Sequence, residues 1–341
     1  MSHNQSELRI NPRGLTMKAM HCTGYGSCEV LKLKEVAKPK PLKSELLIKI
    51  AATSVTPGDC EIRTCTVHPT MYLFFRIFIG ITKPRQPILG MYFSGTIEAI
   101  GGDVKGHRVG DEVFGTTGFT MGTNAEYVCV PTSRSFIKKP KCLSHCEAAA
   151  APIGAWNALH FIGLAKLKAG EKILVFGAGG AIGTFAIELA KLAGAVVTAI
   201  DSKDKLPMLK KMGADIVIDY EMKDFTQSEL KYDVIFDVVG KSPYRKSLRC
   251  LNPKGRYLLA NVGFTSMLRG VWTSKMTDKT VISAPADESK SELTEISELL
   301  EAGKIHSVID RTFTLEEIPK AHCYIDSGQR KGNTVVVMPV D

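Results

Sequence analysis

The chain has 341 residues, with 44 Lys and Arg against 35 Asp and Glu, and a formal charge of +9 at pH 7. That length is too great for one small core and sets two domains as the expectation. The cations are spread along the chain and no basic tract is interleaved with aromatics, which argues against a nucleic-acid partner and for small anionic ligands.

Residues 1–15 are polar, carry no apolar signal segment and read as a flexible tail. From residue 16 the runs LTMKAMHC, SELLIKIAATSV, FSGTIEAIG, DEVFGTT and AEYVCVP are alternating or β-branched, with Gly and Pro between them. That texture predicts a barrel-like, strand-rich domain over residues 16–147. Residues 60–90 interrupt it with a long apolar, Pro-rich stretch. Its greasiest run, Met71–Ile81, is broken by Arg76 and is shorter than the ~20 residues of a spanning helix, so no transmembrane segment is expected. The nine cysteines form no CxxC and no repeated framework, which suits free thiols in a reducing, cytoplasmic setting.

Near residue 148 the texture changes. CEAAAAPIGAWNALHFIGLAKL is helical in composition. Strand–helix alternations follow: EKILVFG into GAIGTFAIELAKLAG, AVVTAID into SKDKLPMLKKMG, DIVIDY into KDFTQSEL, YDVIFDVVG into SPYRKSLRCL, then the strands GRYLLANVG and KTVISAPA. Continuous apolar strands such as KILVF say that both sheet faces are covered. Residues 148–287 therefore predict a doubly wound parallel sheet, and the chain an α/β protein. An amphipathic helix, SELTEISELLEAG, and a last strand, NTVVVMPV, are expected to return residues 288–341 to the first domain.

The segment VFGAGGAIGTFAIELA sets Gly177, Ala178, Gly179, Gly180, Ala181, Ile182 and Gly183 between a strand and a helix. Such a turn lets backbone approach a pyrophosphate at a helix N-terminus, where free N–H groups and the positive dipole end favour anions. Ile182 stands where a strict GxGxxG needs glycine; the spacing is Gly177-xx-Gly180-xx-Gly183. Asp201 ends the next strand, near the ~20-residue distance at which an acid accepts from the adenosine ribose hydroxyls, and favours NAD(H). Ser202, Lys203, Lys205 and Tyr220 offer the hydroxyl, ammonium and phenol groups that suit a 2′-phosphate, and favour NADP(H). A solvated helix face is the plain alternative for the lysines.

Together with SVTPGD, PILGMYFSG, VGDEVFG, AEYVCVP, PIGAWNALHF, DVIFDVVG and GKIHSVIDRTFTLEEIPKAH, these residues resemble the medium-chain dehydrogenase/reductase superfamily, in its zinc-independent, quinone-oxidoreductase-like branch. The resemblance implies a GroES-like β-barrel catalytic domain beside a Rossmann domain, with the active site between them. It implies that Asp237, Val239 and Gly240, with Asn261 and Val262, border the nicotinamide, and that Asn333 also meets the cofactor. Lys205 and Tyr220 match positions that hold the adenosine phosphate in NADPH-using relatives, which tilts the cofactor to NADP(H). Asp201 departs from the small residue usual there. Phe74, Phe75 and Phe78, with Met71 and Tyr72, become an apolar wall for substrate. Core, a dimer contact, or a membrane-facing patch anchored by Arg76, Lys83 and Arg85 are the competing readings.

In the zinc branch of that superfamily the catalytic ion takes thiolate and imidazole ligands. The matching positions here are Val55/Thr56, Met91/Tyr92 and Gly154/Ala155, and none offers either group, so no zinc is expected. The CLSHC segment places Cys142, His145 and Cys146 on one helical face, a conceivable metal trio, with buried thiols and a capping histidine as the plainer reading. Hydride delivered to a simple ketone makes an alkoxide that needs a Lewis acid or a held proton donor, and the sequence has no YxxxK pair. A quinone or an α,β-unsaturated carbonyl spreads the same charge over its own conjugated system. The expected activity is therefore NAD(P)H-dependent reduction of such substrates. Thr56 and Tyr92 are the candidate hydrogen-bond donors to the developing oxyanion, with a packed strand tyrosine as the alternative for Tyr92. Oxidation of simple alcohols, or a non-catalytic nucleotide-binding role in a regulatory complex, are the rival functions. KTVISAPA reads as the outer strand of the cofactor sheet, an edge that pairs two subunits in relatives, so a homodimer is expected.

Overall fold

The computed structural model describes residues 16–66, 72–261 and 263–339. The tail expected over 1–15, Met71 and Val262 lie outside the described residues, as do the side chains of Tyr72, Phe74 and Phe75.

Strands β1 (Thr16–Cys22) and β2 (Leu31–Ala37) form an antiparallel ribbon. β3 (Glu45–Val55) is the spine of the larger barrel sheet. It leads into α1 (Pro57–Thr64), whose start is fixed by chemistry legible in SVTPGD. Thr56 is the N-cap and its hydroxyl oxygen accepts from Asp59 N–H, while the Asp59 carboxylate accepts from Thr56 N–H, with Pro57 in the first turn. The apolar stretch that follows forms α2 (Tyr72–Ile79). β4 (Tyr92–Ile100), β5 (Glu112–Thr116), β6 (Tyr127–Pro131) and β7 (Phe136–Lys138) complete this part, with β4 and β6 both antiparallel to β3.

The chain then enters α3 (His145–Ala165), capped by a reciprocal Ser144–Glu147 pair. This helix is long and apolar enough to cross a membrane by composition, yet 67% of that stretch is buried in the protein interior. Cys142 precedes the helix, and His145 uses Nδ1 on Ser94 Oγ (2.8 Å) and Nε2 on Glu112 (3.3 Å), so the three CLSHC side chains do not share a helical face.

Alternation follows through β8 (Lys172–Phe176), α4 (Ala181–Leu192), β9 (Val196–Asp201), α5 (Leu206–Lys211), β10 (Ile216–Asp219), β11 (Tyr232–Asp237), α6 (Tyr244–Arg249), β12 (Leu251–Leu259), α7 (Phe264–Met276) and β13 (Thr280–Ile282). All six strands are parallel in the order β10-β9-β8-β11-β12-β13, so the direction of winding reverses between β8 and β11. KDFTQSEL, expected as a helix, makes only the turn Phe225–Gln227, because Asp224 takes both the N–H and hydroxyl of Thr226.

α8 (Lys290–Glu301) buries Leu293, Ile296 and Leu300 in the cluster that holds α3 and α4 residues such as Trp156 and Phe185. The same cluster takes in Tyr92 and Phe114 of the barrel strands, so the helix sits where the two parts of the chain meet. β14 (Ile309–Thr314), α9 (Ile318–Asp326) and β15 (Asn333–Val337) make the return to the barrel, with β15 antiparallel to β3. α9 lies against α1. The fully buried Arg63 donates to Asp326 Oδ2 at 2.5 Å, and His322 Nδ1 is 3.4 Å from Cys60 Sγ. Cys28 and Cys323, 295 residues apart, are disulfide-bonded, while the other seven cysteines are free. Such pairing leaves no trace in sequence spacing.

Two side-chain contacts carry testable energy. Burial, assisted by the Arg63 cation, lowers the His322 pKa from 6.5 to about 3. The unfolded chain therefore binds this proton more tightly than the folded one. The stability is fully present above ~6.5 and is lost as pH falls toward about 3, by ~1.4 kcal/mol per pH unit. His322→Gln should flatten that acid limb in urea melts taken across the same window. Tyr92 is buried and donates its hydroxyl to Glu288 Oε1 at 2.7 Å, tying β4 to the approach of α8. Burial raises the Glu288 pKa and the Tyr92 hydroxyl opposes that rise. Tyr92→Phe should cost about 1–3 kcal/mol in melts at neutral pH by stranding a half-buried carboxylate.

Candidate functional site

A cleft of ≈ 890 Å³ runs along the carboxyl ends of β8 and β11, at the point where the sheet changes direction. Its floor includes Phe176, Gly177 and Gly180. Gly180 is the N-cap of α4 and no side chain caps that end, so its first N–H groups remain free for an anion. At Gly183 a Cβ would stand 2.5 Å from the Ala178 backbone, so only glycine lets the helix sit this tightly on the turn. Ala178, Ala181 and Gly183 are buried behind the loop, and Ile182 packs half-buried against the core. Within the motif, Gly177 and Gly180 face the cleft, and the others shape it from behind.

Asp201 lies under the turn rather than open to a ligand. Its Oδ2 accepts from Gly179 N–H at 2.7 Å, and its Oδ1 accepts from Ser202 N–H at 2.9 Å and pairs with Lys205 Nζ at 3.0 Å. Both partners of that ion pair are buried yet line the cleft. Tyr220, half exposed, stands on the same rim, and Ser202 turns its hydroxyl toward Asp204 at 2.7 Å. On the β11 side, Asp237 accepts from Gly240 N–H (2.8 Å) and Ser242 N–H (2.9 Å), which shapes the loop carrying Val239 and Lys241 into the cleft. Gly240 packs against the Asn261 carbonyl, so the two nicotinamide-side segments meet. Asn333, expected to meet the cofactor, is buried beside the Gly332–Gly179 contact, and its Nδ2 donates to Val308 O at 3.1 Å.

Sequence reasoning missed Arg330. The loop between α9 and β15 crosses over the glycine turn, where Gly332 N–H donates to Gly179 O at 2.7 Å. Arg330 lines the cleft, and its Nη2 lies 3.7 Å from where a Gly180 Cβ would be. Lys331 Nζ reaches Asp204 at 3.3 Å. No local motif marks Arg330; only the long-range return of the chain brings it to the anion end of α4. The facing wall is α1, with Pro57, Cys60, Glu61 and Thr64, and α9 with Ile325 and Asp326.

Neither candidate donor is free. The Thr56 hydroxyl donates to Asp59 Oδ2 at 2.7 Å and is part of the α1 cap. The Tyr92 hydroxyl, expected in the cleft, is held by Glu288 among the side chains around α3, because β4 turns that residue toward the helix. Phe78, expected as a substrate wall, is exposed on the surface against Phe119 with ring centroids 6.1 Å apart, and is not on the cleft lining.

The positions where zinc-dependent proteins of this fold hold their ion carry Thr56, Met91 and Ala155, which do not fit a zinc site. The cleft-lining thiol, Cys60, has its pKa pushed up by burial and by the carboxylates of Asp326 and Asp59. Among the described residues, no group of three His, Cys, Asp or Glu is arranged to hold a metal. The glycine turn, by contrast, fits a dinucleotide.

Comparison with known proteins agrees with this geometry. The alcohol dehydrogenase GroES-like domain family matches residues 42–141, and the family described as zinc-binding dehydrogenase matches residues 212–336. The chain is 32% identical to the mouse (Mus musculus) mitochondrial NAD(P)H oxidoreductase RTN4IP1, over 95% of this chain and 90% of that protein. It is 31% identical to 2-methylene-furan-3-one reductase of Solanum lycopersicum, over 94% of this chain and 79% of that protein. The solved quinone oxidoreductase of Coxiella burnetii superposes with a TM-score of 0.85 at 29% identity, covering 95% of this chain and 100% of that one. With such likeness along nearly its whole length, the chain belongs to the medium-chain dehydrogenase/reductase superfamily, in the quinone-oxidoreductase-like branch.

Proposed function

We propose that this chain is an NAD(P)H-dependent reductase of quinones or α,β-unsaturated carbonyls that works without a metal ion. The observation that carries the reading is a dinucleotide cradle opening on a cleft beside positions that lack metal ligands, with the two expected donors, Thr56 and Tyr92, held by Asp59 and Glu288. When bound, the reduced nicotinamide supplies the hydride. The chain's part is to bind and orient. Gly177, Gly180 and the open end of α4 receive the pyrophosphate, with Arg330 beside them as counter-charge. Val239, Gly240 and Asn261 form the nicotinamide end. With no metal ligands at the expected positions and the Tyr92 phenol held by Glu288, the acceptor disperses the negative charge itself and takes its proton from solvent. The names of the tomato and Coxiella relatives support such acceptors.

For the cofactor we favour NADP(H). The Asp201 carboxylate is occupied by Gly179, Ser202 and Lys205, so it is a poor acceptor for a ribose diol, while Lys205 and Tyr220 on the same rim suit a 2′-phosphate. Assays of both reduced cofactors against a panel of quinones, enones and simple ketones test these readings together. NADPH with a quinone or enone should give the highest kcat/KM, unchanged by chelator, and Asp201→Asn should raise the NADPH/NADH ratio by roughly fivefold through loss of one repelling charge. Turnover confined to saturated alcohols and abolished by chelator would overturn the function. A wild-type preference for NADH that Asp201→Asn leaves unmoved would overturn the cofactor assignment.

The same reading includes a homodimer. β13 has no strand on its outer side among the described residues, and α7 beside it exposes Met267, Leu268, Val271, Trp272 and Met276. Light scattering should report a dimer for the wild type and a monomer for Val271→Glu; a monomeric wild type would count against it.

A further inference from the structure

A second apolar face lies apart from α7 and has different surroundings. α2 buries Ile79 in the barrel core beside Leu89 and Phe93. Its other side exposes Ile77 and Phe78, and the turn after it exposes Ile81. Phe119 stands edge-on to Phe78, and Gln86 Nε2 donates to Thr120 O at 2.9 Å, so the two segments form one patch. Its four apolar side chains are between 53% and 66% exposed.

The charges around this patch have one sign. The chain carries no acid between Glu61 and Glu98, nor between Glu112 and Glu126. Lys83 and Arg85 are exposed beside Ile81, and neither makes an ion pair among the described residues. Arg134 reaches the same place, with Nη1 3.0 Å from where a Gly118 Cβ would stand. Arg76 is used differently. It donates to Ile81 O and lies over the Tyr25 ring at 4.8 Å, which fixes the turn that presents Ile81.

We propose that this face docks on an anionic lipid bilayer. Apolar side chains at such a surface sit in the headgroup–acyl boundary, and Lys and Arg at their rim meet the lipid phosphates. A second copy of this chain is the poorer occupant, because an isologous contact would set Lys83, Arg85 and Arg134 against themselves. The net charge of +9 adds to the attraction toward an anionic surface. The docking does not depend on which acceptor is reduced, and its test needs no turnover.

The full chain is sedimented with vesicles of phosphatidylcholine alone, and with vesicles in which about a third is phosphatidylglycerol, at low and at ~1 M salt. Retention is expected on the anionic vesicles at low salt and to fall at high salt. Ile81→Glu and Phe119→Glu should each lower partitioning about tenfold, and the double reversal Lys83→Glu/Arg85→Glu by at least as much. Leu42→Glu, at an exposed leucine elsewhere, should leave it unchanged. All these positions are on the surface, and unchanged thermal melts would confirm folding. Absence of retention on anionic vesicles, equal retention by the patch variants, or loss of an oligomer in Ile81→Glu without any change in retention would each overturn the proposal, the last in favour of a second copy.

Discussion

One backbone hydrogen bond holds the site together. Gly332 N–H donates to Gly179 O at 2.7 Å, joining the returning segment of the barrel to the phosphate turn of the Rossmann sheet. Gly332 has φ 77°, and a Cβ there would stand 2.5 Å from Val308 O, so the crossing is possible only for a residue without a side chain. Because the seam is made of backbone, it leaves the neighbouring side chains to the ligand. Arg330 and Lys331 are delivered to fixed places beside Gly180 and Asp204. The end of α9 becomes a wall of the cleft for the same reason.

The second constraint is how the acid at the end of β9 is used. A carboxylate at this place is ordinarily read as a ribose acceptor. Here its lone pairs serve the turn itself, through Gly179 and Ser202, and its charge is set against Lys205. The acid thus shapes the loop. Arg330, which has no acidic partner at ion-pair distance among the described residues, then sets the sign of the potential at the phosphate end. The donor side of the cleft follows a similar logic. Thr56 and Tyr92 hold α1 and the approach of α8 in place, each with its hydroxyl on a carboxylate.

Much of the fold was legible because it rests on local rules. β-branched alternation marked β1, β3, β4, β5 and β6, and the reciprocal side-chain capping in SVTPGD marked the start of α1. Gly177, Gly180 and Gly183 announced the cradle, since a strand–turn–helix that must approach a phosphate admits few other residues. What was not legible depends on register and on distant chain. Tyr92 lies on a strand whose one face packs toward α3 and whose other, at Phe93, fills the barrel core, and the sequence does not say which face a residue takes. Asn333 sits next to the seam yet turns inward to Val308. Arg330 at the glycine turn, the Cys28–Cys323 bond and the contact of buried Arg63 with Asp326 all join segments far apart in the chain. Phe78 was apolar in a place where wall, core and surface all want apolar side chains, and only its contact with Phe119 separates them.

The two exposed apolar faces show how polar surroundings, rather than hydrophobic area, decide what a surface is for. On α7, the neighbouring β13 is the last strand of its sheet among the described residues, and Arg269 is taken up by the Tyr244 ring at 3.7 Å. A strand extending the sheet and a helix laid on the exposed side chains would cover such a surface. On α2 the backbone is satisfied within its own turn, by Gly80 N–H on Arg76 O and Arg85 N–H on Ile79 O. What remains there is a greasy tip ringed by unneutralised cations. Desolvating those cations against another protein would require acids placed to meet each one, whereas a sheet of lipid phosphates meets them in any rotation about its normal. The less specific surface is therefore matched to the less specific partner.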